Sequence, residues 1–523
     1  MNGEKRKILW VDDEIELLKP HVTFLQNKGF QVDTATNGQD AIELVKQKFR
    51  DNSYDLILLD EMMAGMGGLS TLEVIKEIAP EIPVVMITKN EAESLMEEAI
   101  GQKISDYLTK PVNPSQILLT AKKIMDGHRI EGERVSRDYV TDFRDISAQL
   151  DSELDYNGWV DIHQKLTYWE LEIDEHPETG LKEPLMDQRR AANAAFGKYI
   201  DGVYKGWVNR KTDRPKLSHE VFETYVMPKM SSGRPVVMLV IDCMRLDQWL
   251  IMEDFVRDYF SVSKEFYYSI LPTATPYSRN AIFSGLMPLE MEKRYPEIWD
   301  KGNSDDDSSR NRYEKELLTD LLQRKRIRVE PKYIKIIDPD FGKNIVSNIS
   351  SFTRVPLTAI VVNFVDILAH SRSDSDILKE IAPDESAYRS LTKSWFQHSY
   401  LLDLFKALAE TGASVVVTTD HGSVRSMRGS KVLGDREAST NLRYKFGRNL
   451  KCDDRQAIFV KNPEDFMLPR RGVTINYIIA KEDFYFVYPT DYHKYLEQYH
   501  DSFQHGGISL EEMILPVVFL EPR

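Results

Sequence analysis

The 523-residue sequence has little cysteine, no long apolar run and no excess of positive charge. Its two cysteines, Cys243 and Cys452, are too few for a disulfide framework, and free thiols in a chain of this length indicate a reducing compartment. No apolar stretch approaches the ~20 residues that cross a bilayer, and the polar start of the chain does not resemble a signal peptide. We therefore expect a soluble, cytoplasmic protein without membrane association.

The formal net charge of -15 restricts the partners. An acidic surface repels the phosphates of duplex DNA at long range, so broad DNA binding is not expected. The helical stretch described below also lacks a basic recognition face, which argues against sequence-specific DNA reading. A small basic pocket for a short nucleotide stays compatible with this charge.

Three regions differ in their apolar pattern. Residues 1–127 and 211–523 alternate short apolar runs with amphipathic stretches, which predicts two α/β domains with largely parallel sheets. The second of them contains a predicted strand at 359–365. Two polar segments, 301–310 before this strand and 371–386 after it, are predicted to be surface loops.

Residues 128–210 follow a helical period instead. Apolar and aromatic side chains recur at three- and four-residue spacing in three sets, which begin at Tyr139, Trp159 and Ala192, with a break at residues 157–158. This pattern predicts three amphipathic helices that bury their stripes in a bundle. We interpret the bundle as a spacer that transmits the state of the first domain, by changing dimer contacts.

Polar side chains end the predicted strands of the first domain. Asp12 and Asp13 follow the first strand and Asp60 follows a later one, while Thr88 and Lys110 end the last two. Three carboxylates at one sheet edge repel each other unless a cation binds, and oxygen ligands without soft donors favour Mg²⁺. A hydroxyl and an ammonium group beside them suit a phosphoryl group carried on a carboxylate.

This segment resembles the response-regulator receiver domain, which has a flavodoxin-like fold. The resemblance implies that Asp60 is the phosphoacceptor for a sensor histidine kinase. It also implies that Asp13, Asp60 and the backbone carbonyl of Met62 hold Mg²⁺, with Asp12 acting through water.

The same resemblance implies three switch residues. Thr88 and Lys110 would contact the phosphoryl group, and Tyr107 would be the aromatic side chain that rotates on activation. Two positions depart from the family pattern: Ala64 stands where proline is usual, and Lys89 where a small residue follows the switch hydroxyl.

The C-terminal region places metal-ligand residues after its strand-like runs. Carboxylate and imidazole groups are the ligands that zinc favours when thiolates are absent. The candidates are Asp242, Asp366, His370, Asp420, His421 and His505. Because strand ends in an α/β sheet build sites at one edge, we expect these side chains to converge.

A hydroxyl nucleophile is predicted in the turn that starts at Leu271. Both Thr273 and Thr275 lie there, before a helix that ends near Gly285, and the pattern alone leaves the choice open. Arg279 and Arg245 could contact phosphate oxygens in a bidentate manner. A salt bridge is the alternative interpretation of each arginine.

These motifs resemble the alkaline phosphatase superfamily, and in particular its PglZ branch. The resemblance implies two metal positions, with zinc as the expected ion. Asp366, His370 and His505 would hold one zinc ion, and Asp242, Asp420, His421 and the nucleophile would hold the other. In this superfamily the nucleophile stands ten residues before such a glycine, which favours Thr275 over Thr273.

The whole arrangement resembles the PorX-type response regulators. This implies control of type IX secretion and gliding motility, with a sensor kinase and an extracytoplasmic-function sigma factor as partners. We also expect a phosphorylation-dependent homodimer. Our first hypothesis is a phosphorylation-controlled phosphodiesterase that acts on short linear or cyclic oligonucleotides. The alternative is a non-catalytic, metal-bound regulator that senses a ligand or docks onto the sigma factor or the secretion machinery. A third hypothesis is a phosphate sink with a degenerate C-terminal part.

Overall fold

The structure is a computed structural model that describes residues 6–48, 53–89, 104–297, 311–435, 439, 441–470 and 474–523. For residues 126–130 it describes the backbone alone. The chain divides into two compact units, Met1–Asp138 and Tyr139–Arg523. The predicted domain limits at residues 127 and 210 stay a prediction.

The first unit is built on a parallel sheet with the strand order β2-β1-β3-β4-β5. Its strands are β1 (Lys7–Val11), β2 (Gln31–Ala35), β3 (Leu56–Asp60), β4 (Val84–Thr88) and β5 (Asp106–Thr109). Its helices are α1 (Lys19–Asn27), α2 (Gly38–Lys48), α3 (Gly68–Ile78) and α4 (Pro114–Leu150), which continues into the second unit. This order is the predicted flavodoxin-like arrangement, and it brings the ends of β1 and β3 side by side.

Both faces of this sheet are covered, because its strands are apolar on both sides. Alternate side chains of β1 and β3, such as Leu9 and Ile57, belong to one core with α2 and α3. Their neighbours, such as Ile8 and Leu58, belong to a second core on the other face. Continuous apolar strands of this kind require helices on both faces.

The second unit begins with the helical region. The last turns of α4 are followed by α5 (Tyr156–Asp174) and α6 (Lys182–Val208). The predicted break at residues 157–158 is wrong, since both lie in the first turn of α5, and the helix starts because the Asp155 carboxylate accepts a hydrogen bond from the Gly158 amide at 2.8 Å. Ring contacts such as Tyr139 with Trp169 fill the predicted apolar stripes.

The rest of the second unit is an α/β domain on a six-stranded sheet with the order β7-β18-β10-β6-β9-β8. Its helices are α7 (Met227–Met230), α8 (Leu246–Val256), α9 (Thr275–Ser284), α10 (Pro288–Arg294), α11 (Glu314–Arg324), α12 (Pro339–Phe352), α13 (Phe364–Asp374), α14 (Asp376–Ile381), α15 (Glu385–Gln397), α16 (Tyr400–Glu410), α17 (Tyr492–Tyr499) and α18 (Leu510–Met513). Its strands are β6 (Val236–Ile241), β7 (Phe260–Tyr268), β8 (Lys332–Ile336), β9 (Leu357–Val362), β10 (Ser414–Thr418), β11 (Val424–Ser426), β12 (Arg428–Lys431), β13 (Tyr444–Gly447), β14 (Ala457–Val460), β15 (Asn476–Ala480), β16 (Phe484–Val487), β17 (Ser502–Gln504) and β18 (Ile514–Pro522).

Four neighbouring strands of the large sheet, β10, β6, β9 and β8, are parallel. In the register, Thr418 lies opposite Val240, and Ile241 lies opposite Val362. The carboxyl ends of β10, β6 and β9 therefore meet at one edge, where the residues that follow them can form a site.

Two predictions about local structure are wrong here. Residues 371–386 are mostly helical rather than a surface loop, since they fall on α13, α14 and the start of α15. Side-chain caps from Ser375 and Asp384, at 3.3 and 2.9 Å, begin two of these helices, so polar residues here start helices instead of forming a loop.

The predicted strand at 359–365 is also too long, because β9 ends at Val362 and α13 begins at Phe364. The polar segment 301–310 lies outside the described residues. Among the helices that the structure does describe, none combines the length and apolar composition that crossing a lipid bilayer requires.

Candidate metal centres and phosphorylation site

The first group of predicted zinc ligands lies at the edge of the large sheet. Asp242 follows β6 directly, and Asp420 and His421 follow β10. One ligand atom from each of the three lies within 4.8 Å of the others, and all three side chains are buried. The His421 Nε2 atom is 3.8 Å from Asp242 Oδ1 and 3.7 Å from Asp420 Oδ2.

Hydrogen bonds around this group orient each ligand atom. Asp420 Oδ1 accepts the backbone N–H groups of Cys243 and His421, at 3.4 and 3.2 Å, which leaves Oδ2 directed to the site. The Nδ1 atom of His421 lies 3.1 Å from the Gly422 carbonyl oxygen. If Nδ1 donates to that carbonyl, the lone pair of Nε2 is free to bind a metal.

Thr275 completes this group. Its Oγ1 atom lies 3.0 Å from His421 Nε2. Thr275 is the first residue of α9, and it is 7% exposed. The positive end of the helix dipole stabilises negative charge that develops on an oxygen placed there.

The second predicted group, Asp366, His370 and His505, also converges within 4.8 Å. Asp366 and His370 lie one turn apart on α13, and the loop after β17 supplies His505. The Asp366 Oδ1 atom is 3.4 Å from His370 Nε2 and 3.8 Å from His505 Nε2. The rings of His505 and His421 stack at 4.2 Å between centroids, so the two groups are neighbours.

Burial and neighbouring charges shift the pKa values of these ligands. Burial raises the pKa of Asp242 to about 7, although nearby Arg279 acts in the opposite direction. Burial also raises the pKa of Asp420 and lowers the pKa values of His421 and His505. Burial alone would raise the pKa of Asp366 as well. The hydrogen bond that His370 donates to it and the nearby His505 ring outweigh this effect, so the pKa of Asp366 falls below its usual value.

The residues of both groups fit divalent cations. Asp242 Oδ1 and Asp420 Oδ2 are buried, and within the described part of the chain neither atom has a hydrogen-bond partner. Buried carboxylate oxygens are costly without compensation, and each of these faces His421 Nε2 across less than 4 Å. A mixed carboxylate and imidazole set suits zinc.

The structure separates the two threonines of the turn. Thr273 Oγ1 donates to the Gly507 carbonyl at 2.7 Å and accepts the Gly506 N–H at 3.2 Å. These bonds tie the turn to the loop that carries His505. Thr275, in contrast, directs its hydroxyl to the first ligand group, which supports it as the nucleophile.

The two predicted phosphate-binding arginines are engaged by carboxylates. Arg279 is 1% exposed, with Nη1 at 2.7 Å from Asp242 Oδ2 and Nε at 2.7 Å from Glu314 Oε1. Arg245 pairs with Asp247 and with Glu385, whose Oε2 lies 2.7 Å from its Nη2. The geometry thus favours the salt-bridge interpretation, and substrate contact by Arg279 stays a prediction.

A groove of about 740 Å³ opens beside the second ligand group. The side chain of His370 is 50% exposed and forms part of its wall. Charged side chains of both signs line the groove: Lys379, Lys494, Asp374, Asp376 and Glu497, together with Tyr499 and Gln504. His370 is therefore reached from a polar surface that is much larger than one phosphate group.

In the first unit, Asp12, Asp13 and Asp60 form a third possible metal site, again within 4.8 Å. Lys110 Nζ lies 2.9 Å from one carboxylate oxygen of Asp12 and 2.9 Å from one of Asp60. Burial raises the pKa of Asp60, and the ammonium group of Lys110 acts against it. This is the arrangement that the receiver resemblance implies for the phosphoacceptor.

The remaining predicted receiver residues surround this group. Thr88 ends β4, and its hydroxyl donates to the Glu61 carboxylate. Tyr107 lies on β5 with 40% of its surface exposed, and Met62 follows Asp60 by two residues. The side chain of Lys89 is exposed.

Sequence reasoning missed several residues that hold the site. Glu314, which pairs with Arg279, and Asn193 and Tyr204, which bond to the loops of His505 and Thr275, belong to no motif. Their partners lie between 35 and 317 residues away in the chain, so no local spacing points to them.

Three family comparisons account for the chain. The BREX system PglZ alkaline phosphatase-like domain matches residues 221–520, the response regulator receiver domain matches 8–122, and the PorX response regulator linker domain matches 129–208. The predicted fold class is confirmed by these matches and by the structure: a receiver fold, a helical middle region and a C-terminal α/β domain with a mixed sheet.

Curated relatives share a smaller part of the sequence. The transcriptional regulatory protein ZraR of Klebsiella oxytoca is 35% identical over 136 residues, which are 26% of this chain and 30% of that protein. A CpxR homolog of Haemophilus influenzae is 32% identical over 146 residues, 28% of this chain and 61% of that one. The chain thus spans less than two thirds of the length of these relatives.

Solved structures give similar partial matches. The chemotaxis protein CheY4 of Vibrio cholerae is 26% identical, with a TM-score of 0.21, and the match covers 23% of this chain and 98% of CheY4. With a receiver domain, a PorX linker domain and a PglZ domain in sequence, the chain belongs to the PorX-type response regulators.

Proposed function

We propose that the C-terminal domain hydrolyses phosphodiesters with two zinc ions and with Thr275 as the nucleophile. The observation that carries this proposal is the position of the Thr275 hydroxyl, 3.0 Å from His421 Nε2 within a group of three convergent buried ligands. A second ligand group lies beside it, joined through the stacked rings of His421 and His505. Two neighbouring cation sites beside a hydroxyl suit in-line phosphoryl displacement.

Asp242, Asp420 and His421 would hold one zinc ion with Thr275, and Asp366, His370 and His505 the other. Bound cations lower the pKa of a coordinated hydroxyl and neutralise charge on phosphate oxygens. The Thr275 oxygen forms a bond to phosphorus while the ester bond to the leaving oxygen breaks. The hydroxyl proton ends on that leaving oxygen, and water then cleaves the phosphothreonine.

The groove beside His370 favours a diester over a small monoester. Its volume of about 740 Å³ exceeds what a phosphate group needs. Its wall carries Lys379 and Lys494, which suit further phosphates, next to Asp374, Asp376 and Glu497, so the size of the groove and not its net charge supports a short oligonucleotide. Tyr499 offers a ring on which a base could stack. We therefore propose short linear or cyclic oligonucleotides as the substrates.

Metal removal tests this activity directly. Dialysis against a chelator should abolish turnover of bis(4-nitrophenyl) phosphate, because both proposed charge-neutralising cations leave the site. Zinc added back should restore turnover up to a content of two ions per chain. The measurement is nitrophenolate release beside metal analysis of the same samples, with 4-nitrophenyl phosphate as the monoester control.

Turnover that persists in metal-free protein would contradict the proposal. Wild-type protein that carries zinc and hydrolyses neither ester nor a dinucleotide would also contradict it, and would favour the non-catalytic alternative.

For the first unit, we propose that a sensor histidine kinase phosphorylates Asp60, and that this drives homodimer formation. Mg²⁺ would be held by Asp13, Asp60 and the backbone carbonyl of Met62, with Asp12 acting through water. Thr88, Lys110 and Tyr107 would respond to the phosphoryl group. Asp60→Asn should abolish the dimerisation induced by acetyl phosphate or beryllofluoride, because the amide cannot carry the phosphoryl group. Sedimentation velocity with and without these reagents measures the change.

Asp106→Asn is a matched control, since this carboxylate lies at the start of β5 and pairs with Lys123 at 3.1 Å. It should leave the response intact. Equal dimerisation of wild type and Asp60→Asn would remove Asp60 as the phosphoacceptor.

The match of residues 129–208 to the PorX response regulator linker domain favours a second role. We propose that the protein takes part in the control of type IX secretion and gliding motility, with an extracytoplasmic-function sigma factor as a partner. This role is compatible with hydrolysis. If zinc-loaded protein shows no turnover in the metal-removal experiment, this regulatory role is the only function that we propose for the C-terminal domain.

A further inference from the structure

One helix, α6, accepts hydrogen bonds from backbone amides next to both parts of the proposed hydrolytic site, one in the turn before Thr275 and one at the start of α18, which directly follows the loop of His505. The Leu271 N–H donates to the Tyr204 hydroxyl oxygen at 2.7 Å, and Leu271 stands four residues before Thr275. The Leu510 N–H donates to Asn193 Oδ1 at 2.8 Å, and Leu510 stands five residues after His505.

The two α6 side chains share one face of the helix. Asn193 and Tyr204 are eleven residues apart, which is close to three turns at 3.6 residues per turn. Both side chains are buried, with exposures of 6% and 0%. A rigid helix therefore fixes the separation of its two attachment points.

The two loops are also joined to each other. Thr273, two residues before the proposed nucleophile, donates to the Gly507 carbonyl and accepts the Gly506 N–H. The nucleophile loop, the His505 loop and α6 thus form a closed ring of hydrogen bonds.

Side chains on the same helix hold it in place against the α/β domain. Asn193 Nδ2 also donates to Glu511 at 3.1 Å, and Asp201 pairs with Lys481 at 2.7 Å. The Trp207 ring packs edge-on against Tyr268, with 5.3 Å between centroids. These contacts are spread along the helix, so α6 is anchored over the whole interval between its two attachment points.

We infer that Tyr204 and Asn193 are positioning residues for the hydrolytic site, and that α6 is the element of the helical region that holds both parts of that site in place. The inference rests on the proposed function, since it concerns the separation between the Thr275 hydroxyl and the ligand His505. Neither side chain touches a reacting atom. Each fixes a backbone amide that in turn fixes a catalytic loop.

Tyr204→Phe tests this directly, because it removes one hydroxyl and keeps the ring. Tyr199→Phe is the matched control: it removes the same group from the same helix, and in the described residues the Tyr199 hydroxyl makes no hydrogen bond to either loop. Hydrogen–deuterium exchange of the full-length zinc-loaded protein is measured in the peptides that cover residues 266–276 and 505–513. Asn193→Ala is compared in the same peptides.

Tyr204→Phe should speed exchange in the first peptide, and Asn193→Ala in the second, while Tyr199→Phe matches wild type. For bis(4-nitrophenyl) phosphate, kcat of Tyr204→Phe should fall by about tenfold to a hundredfold at unchanged KM and zinc content, since small misplacements of reacting groups have effects of this size. A merely structural role would lower the melting temperature without this split between kcat and KM.

Unchanged exchange in both variants overturns the inference, whether or not the wild type is active. An active wild type whose kcat per bound zinc survives Tyr204→Phe overturns it as well. If the wild type shows no turnover but exchange changes as expected, the proposed function fails while the attachment of both loops to α6 stands.

Discussion

Thr275→Val should reduce phosphodiester turnover by about 10³-fold or more while zinc content stays near two ions per chain. Valine keeps the branched shape of threonine and removes only the hydroxyl that is placed 3.0 Å from His421 Nε2. Loss of the covalent nucleophile lowers the turnover of a serine protease by at least this factor. Asp242, Asp420 and His421 remain as ligands, so metal binding does not depend on the hydroxyl alone.

Thr275→Ser and Thr273→Val are the matched controls. Serine restores a hydroxyl at the start of α9 and should recover part of the activity. Thr273→Val should instead destabilise the fold by about 1–3 kcal/mol, because it leaves the Gly506 N–H and the Gly507 carbonyl without their partner. Initial rates, zinc analysis and thermal unfolding of the three variants are measured together.

These variants also decide between the two threonines that the sequence left open. Full activity of Thr275→Val, with loss of activity in a stable, zinc-loaded Thr273→Val, would reverse the assignment. Loss of zinc from Thr275→Val would show instead that the hydroxyl is needed for metal binding, and the rate effect could not then be assigned to attack on phosphorus.

The strand ends could be predicted from the sequence because buried parallel strands are continuous apolar runs that a carboxylate interrupts sharply. Asp242 after β6 and Asp60 at the end of β3 are of this kind. Asp366 was expected at a strand end, but it lies in the first turn of α13. The four-residue spacing from Asp366 to His370 is itself a helical signal, since such pairs share one face of a helix.

Contacts that depend on distant parts of the chain could not be predicted. Tyr204 and Asn193 lie beside the apolar stripe of α6, where polar residues are usually exposed, and their partners are 67 and 317 residues away. For Arg279 the sequence allowed either a phosphate contact or a salt bridge. It could not decide between them, because the three carboxylates near this arginine come from separate elements. Only the assembled sheet brings Asp242 and Asp420 to one side of it.

Arg279→Met should lower the free energy of unfolding of the metal-free protein by about 3–5 kcal/mol. This is the usual cost of breaking a buried ion pair by removing one partner. The guanidinium group lies 2.7 Å from Asp242 and 3.9 Å from Asp420, and both carboxylates are buried. Glu314, the third partner, keeps Lys335 at 3.2 Å, so the uncompensated charge falls mainly on the two ligand carboxylates.

Zinc should reduce this cost, because a bound cation compensates the same two carboxylates from their other side. The destabilisation is therefore expected to be larger in chelator-treated protein than in zinc-loaded protein, as measured by urea unfolding of both forms. Arg257→Met is the control: its exposed guanidinium pairs with Glu253, which also has Lys264 at 2.6 Å, and the loss should stay within about 1 kcal/mol.

The same variant separates a counter-charge from a substrate contact. If Arg279 binds the phosphate of the substrate, Arg279→Met should raise KM or lower kcat for the diester with little change in stability. If the arginine instead neutralises the ligand carboxylates, the free energy of unfolding falls, and the KM of the zinc-loaded protein stays unchanged. We expect the second result. Arg279 is 1% exposed and lies 2.7 Å from each of two carboxylates, and it does not line the groove at His370. A ligand in that groove would therefore not contact its guanidinium group.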